Sequence, residues 1–204
     1  MAIVSLLIFS YLLGSVPFGF VVAYFVKHID IRNYGSGNIG ATNVFRVIGK
    51  RWGIFVFALD FLKGLIPLMI AQAIGDFPNF VIILAAILVV CGHNWTVFLR
   101  FKGGKGVATS VGAVCGLALI FPYLFIAVLV AIMSWVVFFY WLRYVSVASL
   151  VSALAFFVST LCFALPLEIK IFAFVLFIFI VLRHKKNIKN LLSGKEYRFG
   201  NAGQ

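Results

Sequence analysis

Hydrophobic residues along this chain gather in runs of membrane length instead of alternating with polar ones. Seven such runs predict helices over approximately 3–26, 53–74, 78–99, 106–121, 123–142, 145–165 and 168–184. Each is close to the ~20 apolar residues that cross a hydrocarbon core of roughly 30 Å. The fourth and fifth runs are continuous over about 36 residues, which as one helix would measure ~54 Å, so a turn is required and Pro122 is placed to make it. The first run lacks a basic leader and stays apolar too long for a cleaved signal, so it is expected to persist as the first span. The pattern predicts an all-α integral membrane protein of seven transmembrane helices, a single domain over residues 1–204.

Composition agrees with the pattern. Apolar residues make up 64% of the chain and charged residues 11%, and the mean hydropathy is +1.16, outside the range of soluble domains. Cys91, Cys115 and Cys162 lie inside apolar runs without paired spacing, so they imply neither a disulfide framework nor a metal site, and no cofactor is expected.

A net charge of +12 would suggest nucleic acid in a soluble protein. In a membrane protein it reports instead the Lys and Arg retained on the cytoplasmic side, and nucleic-acid binding is not expected. Among the 17 basic residues, Lys63 lies inside a run and only Lys170 lies in an even-numbered connection; the others, from Lys27 to Arg198, fall in odd-numbered connections and the C-terminal tail. The positive-inside rule then puts the N-terminus outside and the C-terminus in the cytoplasm. Asp60 and Lys63 are the charges deep within a span. Three residues apart, they share one helix face and read as an ion pair turned toward the bundle interior, or as support for a site above it.

The polar stretches share the basic side. Residues 92–110, GHNWTVFLRFKGGKGVATS, place His93, Lys105, Thr109 and Ser110 around Gly103, Gly104 and Gly106. Glycines permit positive φ and close backbone approach, and Lys105 stands where a helix begins, so an anion such as phosphate is the natural guest. A Walker A motif is excluded, because Leu99 and Gly106 occupy the positions it needs as Gly and Ser or Thr. The first connection, Asp30 to Arg51, carries Gly35, Ser36, Gly37, Asn38, Gly40, Thr42, Asn43 and Arg46. Its GSGNIG matches G-x-G-x-x-G but follows a membrane-length run and no strand, so the match is accidental as a dinucleotide fingerprint. These short polar side chains suit ligand contacts, and Thr42 or Asn43 suits a helix cap equally well. His93 is either a boundary histidine or a proton acceptor; the His-x-x-x-x-Asp pair of many lipid acyltransferases is absent, since Phe98 stands at its acidic position. Arg143 and Ser146 open the sixth span, and the tail RHKKNIKNLLSGKE brings His184, Asn187 and Glu196. Arg143 by itself fits a positive-inside anchor, and the tail lysines fit an amphipathic segment on anionic lipid; Glu196 fits neither.

The stretches 35–46, 92–110 and 183–196, with RYVS at 143–146, resemble the bacterial acyl-phosphate:glycerol-3-phosphate acyltransferase family across nearly the whole chain. The resemblance implies a seven-helix enzyme of the bacterial inner membrane that moves a fatty acyl group from acyl phosphate to the sn-1 hydroxyl of glycerol 3-phosphate. Its products would be lysophosphatidic acid and inorganic phosphate. The family's essential polar residues fall on Ser36, Asn38, Thr42, Asn43 and Arg46, on His93, Lys105 and Thr109, on Arg143 and Ser146, and on His184, Asn187 and Glu196; the central glycine-rich stretch is the one associated with glycerol 3-phosphate. Trp95 and Thr96 depart from the aromatic-Pro pair usual after the family's GHC or GHI, which bears on local packing.

Acyl phosphate is an activated anhydride, so positioning and charge stabilisation are the main demands. Lys105, Arg46 and Arg143 are expected to hold phosphates, with Ser36, Thr42 and Asn43 orienting them and no acyl-enzyme formed. Partners are thus glycerol 3-phosphate, acyl phosphate and the lipid bilayer, with no metal. An anion transporter would need a polar path through the outer half and paired interrupted helices, neither of which the sequence offers.

Overall fold

The structure, a computed structural model that describes residues 1–200, is helical throughout, with no strand among the described residues. Ten α-helices follow in order: α1 Ala2–Ser15, α2 Phe18–Lys27, α3 Ala41–Val47, α4 Lys50–Ile74, α5 Asn79–Asn94, α6 Val107–Ile120, α7 Leu124–Leu142, α8 Val145–Cys162, α9 Leu167–Arg183 and α10 Lys185–Leu192. Single 3-10 turns lie at Ile31–Asn33 and Val97–Leu99. Five segments are long and apolar enough to cross a membrane: Ala2–Lys27, Lys50–Ile74, Asn79–Leu99, Leu124–Leu142 and Val145–Cys162. α6 is apolar but has only 14 residues, about 21 Å of helix. The chain divides into two compact units, Met1–Ile120 and a second from Phe121 onward.

The first apolar run is two helices, which corrects the single helix expected over 3–26. Pro17 has no N–H to give to Leu13, and it forces Val16 into an extended conformation, ψ 117°. Carbonyls freed by such a break are costly in an apolar interior unless another donor reaches them. Donors reach three of them. Val16 N–H donates to Leu13 O at 3.1 Å, the Thr96 hydroxyl donates to Ser15 O at 2.5 Å, and Lys63 Nζ donates to Val16 O at 2.8 Å. The third run also ends early. α5 stops at Asn94, and the chain turns through Val97–Leu99 into left-handed residues Arg100 and Phe101.

Within the first unit, α4 and α6 touch backbone to backbone. A Cβ on Gly64 would strike the Thr109 carbonyl, and one on Gly112 would strike that of Phe61. Small residues of this kind let apolar helices pack closely where the surrounding lipid is as apolar as the helices themselves. An apolar cluster of Val22, Ala23, Ile31, Ile39, Val44, Val56 and Leu99 fills the same unit. Leu99 matters most there, because it brings the stretch after α5 into one cluster with the 31–44 connection.

In the second unit, the Ser152 hydroxyl donates to Ala131 O at 2.8 Å, joining α8 to α7. Phe157 meets Phe174 and Phe177 at ring distances of 5.5 and 6.1 Å, joining α8 to α9. α7 turns Phe125, Leu129, Met133, Val137 and Trp141 outward, 45 to 69% exposed. That four-residue spacing makes one continuous greasy stripe, the expected face of a helix in contact with lipid. The turn at Pro122 is present between α6 and α7.

Candidate functional site

The connection between α2 and α4 is built around Asn43, which is 2% exposed. Its Oδ1 accepts from Ser36 N–H at 2.9 Å, while Nδ2 donates to the carbonyls of Ile31, Tyr34 and Asn38 at 3.3, 3.0 and 2.8 Å. The amide is therefore committed to backbone, and its geometry is that of a loop organiser. Gly40 is the N-cap of α3, with its N–H bonded to Asn38 Oδ1 at 2.8 Å. Gly35 and Gly37 take the positive φ values, 58° and 74°, that close the loop, whereas Gly40 does not. Thr42 is exposed, and Ser36, Asn38 and Arg46 are half-buried. At the head of the connection Arg32 pairs with Asp30 at 2.6 Å, and its hydrogen bonds hold the Asp30 carboxyl below the usual carboxylate range.

The second stretch folds back on the end of α5. Gly104 N–H donates to His93 O at 2.9 Å, and a Cβ on Gly104 would collide with His93 Nε2. A Cβ on Gly103 would collide with His93 O, and one on Gly106 would lie 2.6 Å from Asn94 Oδ1. Only Gly106 needs positive φ, 78°; the other two are glycine because the loop lies flat against α5. Lys105, half-buried between them, precedes the first residue of α6. Behind the loop, Thr109 and Asn94 are fully buried and Ser110 is 3% exposed. Thr109 Oγ1, Ser110 Oγ and both amide atoms of Asn94 make no hydrogen bond among the described residues.

Beneath His93 lie the two intramembrane charges. Lys63 Nζ stands 2.7 Å from Asp60 Oδ1, with both side chains at most 3% exposed. His93 Nδ1 approaches the same oxygen at 3.5 Å. The ion pair was legible from its spacing, but its contact with histidine was not. The acidic neighbour belongs to α4, so a search along α5 for a His-x-x-x-x-Asp pair passes over it. The usable signal was the coincidence of charges inside one apolar run with a histidine at the end of another.

The remaining candidates lie in the second unit, where Glu196 brings Ser146 and Asn187 together. Its Oε1 accepts from the Ser146 hydroxyl at 2.7 Å and from Asn187 Nδ2 at 2.6 Å. The tail is held in place by Gly194 in left-handed conformation, by Phe199 N–H donating to Arg143 O at 2.7 Å, and by Phe199 against Phe139 at 5.5 Å. Arg143, itself left-handed at φ 62°, is exposed and lies 5.7 Å from the Tyr140 ring. His184 is 2% exposed, with Nδ1 2.8 Å from Ile180 O. A carbonyl can only accept, so Nδ1 carries the proton and the ring's other nitrogen is the acceptor when the imidazole is neutral. Among the described residues no group of His, Cys, Asp and Glu is arranged to hold a metal ion.

The chain is similar to known proteins over nearly its whole length. A family model described as glycerol-3-phosphate acyltransferase matches residues 4–194. The glycerol-3-phosphate acyltransferase of Aquifex aeolicus is 43% identical over 95% of this chain and 97% of its own length, and that of Shouchella clausii 41% identical over 98% and 97%. The crystal structure of PlsY (YgiH), an integral membrane glycerol 3-phosphate acyltransferase, in its glycerol 3-phosphate form is 42% identical, with a TM-score of 0.90 over 98% of this chain and 96% of that one. Its lysophosphatidic acid form gives 41% and 0.87. The chain therefore belongs to the glycerol-3-phosphate acyltransferase family of integral membrane proteins.

Proposed function

We propose that the protein transfers a fatty acyl group from acyl phosphate to the sn-1 hydroxyl of glycerol 3-phosphate, by direct transfer, at the cytoplasmic face of a bacterial inner membrane. The observation that carries this reading is the 93–110 loop. Glycines lie flat against His93 and Asn94, Lys105 stands before the start of α6, and buried Asn94, Thr109 and Ser110 have side-chain hydrogen-bonding capacity that no other described residue uses. Such a cradle of backbone, ammonium and small polar groups suits a phosphate monoester. The solved relatives in glycerol 3-phosphate and lysophosphatidic acid forms point to the acceptor and the acylated product.

In this reading Lys105 and Arg46 hold phosphate oxygens from the first unit, with Ser36 and Thr42 beside them and Asn43 keeping their loop in shape. Within the second unit, Glu196 fixes Ser146 and Asn187, and Arg143 and His184 are that unit's further candidates for substrate contact. The acceptor hydroxyl oxygen attacks the acyl carbonyl carbon. A carbon–oxygen bond forms as the bond to the phosphate oxygen breaks, and phosphate leaves with the electron pair. The hydroxyl proton passes to a phosphate oxygen of the donor or to His93. The scarcity of carboxylates supports direct transfer. The two shorter apolar helices, α6 and α9, complete seven spans with the N-terminus outside, in one catalytic domain.

The test is purified protein given acyl phosphate and glycerol 3-phosphate. Lysophosphatidic acid and inorganic phosphate should appear in equal amounts, with no acyl group trapped on any Ser or Cys. An acyl-enzyme trapped during turnover would overturn direct transfer.

A further inference from the structure

Three buried polar side chains form a line that the proposed chemistry does not by itself require. Lys63 Nζ donates to Val16 O at 2.8 Å, in the break between α1 and α2, and pairs with Asp60 Oδ1 at 2.7 Å. The Phe18 ring lies 5.4 Å from the same ammonium. Asp60 Oδ1 faces His93 Nδ1 at 3.5 Å, and the opposite ring nitrogen, Nε2, lies against Gly104. We propose that Asp60 and Lys63 form a positioning device for His93, turning Nδ1 toward the carboxylate so that Nε2 is the acceptor nitrogen at the glycine loop.

The argument is one of donors and acceptors. An ionised carboxylate only accepts, so the ring nitrogen that faces it carries the proton, and the neutral imidazole then keeps its lone pair on the far nitrogen. Lys63 balances the Asp60 charge, and its bond to Val16 O anchors the carboxylate to a fixed point of the backbone. The line thus runs from the Pro17 break to the 103–106 loop. A rival explanation gives the pair only a structural duty in α4. Replacing both members of a buried ion pair with neutral groups is often harmless to stability, so the two explanations separate.

This inference rests on the reading of the 93–110 loop as the substrate cradle. The experiment compares Asp60→Asn, Asp60→Asn with Lys63→Met, His93→Gln, and His93→Gln with Asp60→Asn as purified full chains, measuring thermal unfolding, kcat, and KM for glycerol 3-phosphate. It also records the 15N imidazole shifts of His93, assigned by their loss in His93→Gln. Asp60→Asn should lower kcat by at least about tenfold with KM within roughly threefold, shift the His93 tautomer balance, and add nothing on the His93→Gln background. The neutral pair should stay folded, losing in stability no more than the Lys63 bond to Val16 O, while kcat stays low. Recovery of kcat in the neutral pair, unchanged His93 shifts in Asp60→Asn, or multiplicative losses with His93→Gln would overturn the positioning role. Wild-type kcat in Asp60→Asn beside a disabled His93→Gln would sink this inference alone. Full activity of His93→Gln would remove His93 from the cradle itself.

Discussion

Lys105 lies in a loop where two neighbouring glycines give up their Cβ so that the backbone can approach α5. That closeness holds the loop while the lysine side chain remains half-buried and within reach of a ligand. Lys105→Ala should remove a charge-assisted contact of ~1.5 to 3 kcal/mol, raising KM for glycerol 3-phosphate or lowering kcat/KM by roughly 10- to 150-fold. Unchanged kinetics for both substrates would remove the phosphate role. Asn43 makes the opposite case. Its polarity and setting suggested a substrate contact, yet the side chain is buried and bonded to four backbone groups. Asn43→Ala should leave buried peptide groups unsatisfied at about 1 to 3 kcal/mol each, so thermal unfolding should fall by several degrees and activity should fall with it. A variant as stable as the wild type but inactive would return Asn43 to the substrate. Residue types were readable in the sequence at both positions, but which atoms they meet was not, because four backbone partners spread over a folded loop leave no spacing signal.

At the level of elements, helix ends and breaks position the chemistry. Membrane-length runs marked the helices well, since hydrophobicity along 20 residues is a strong signal. The break at Pro17 was passed over because its flanks are as apolar as the rest of the run, and proline inside a span is tolerated where neighbours supply donors. Those donors, Thr96 just after α5 and Lys63 in α4, come from distant parts of the chain and are invisible locally. α4 likewise carries Pro67 and remains helical across it. The α4–α6 contact leads to a testable consequence. Gly64→Ala would press a methyl group into the Thr109 carbonyl, a clash with backbone that no side-chain rotation relieves. It should lower stability by about 1 to 3 kcal/mol and lower activity more than an equally destabilising change in α7, because α6 carries the site. Equal activity losses at equal stability would argue against that coupling. In the second unit Glu196 closes the tail onto α8 through Ser146 and Asn187. Glu196→Gln keeps an acceptor oxygen and should retain more activity than Glu196→Ala; the reverse order would contradict this latch. The sequence left Glu196 as an acidic residue without a role in a basic tail, and its folded partners supply one.

Across the whole molecule, the proposed orientation rests on the bias of charge along the chain. Lys170 is alone in the even-numbered connections, against the many Lys and Arg of the others. Single cysteines in a chain freed of Cys91, Cys115 and Cys162 provide the check. A membrane-impermeant thiol reagent applied to intact cells should label positions 76 and 167 and spare 100 and 186; the inverse pattern would reverse the orientation. The two polar stretches of the first unit share one apolar cluster, in which Leu99 lies with Ile31, Ile39 and Val44, residues 55 to 68 positions earlier in the chain.

Acceptor and donor identity are the claim on which the rest depends, and one assay addresses both. Purified protein in detergent is given glycerol 3-phosphate with acyl phosphate, or with an acyl thioester of the same chain, and lysophosphatidic acid and inorganic phosphate are quantified. The account predicts lysophosphatidic acid from acyl phosphate alone, with one phosphate released per product and the yield lost in Lys105→Ala. Turnover with the thioester but none with acyl phosphate would contradict it.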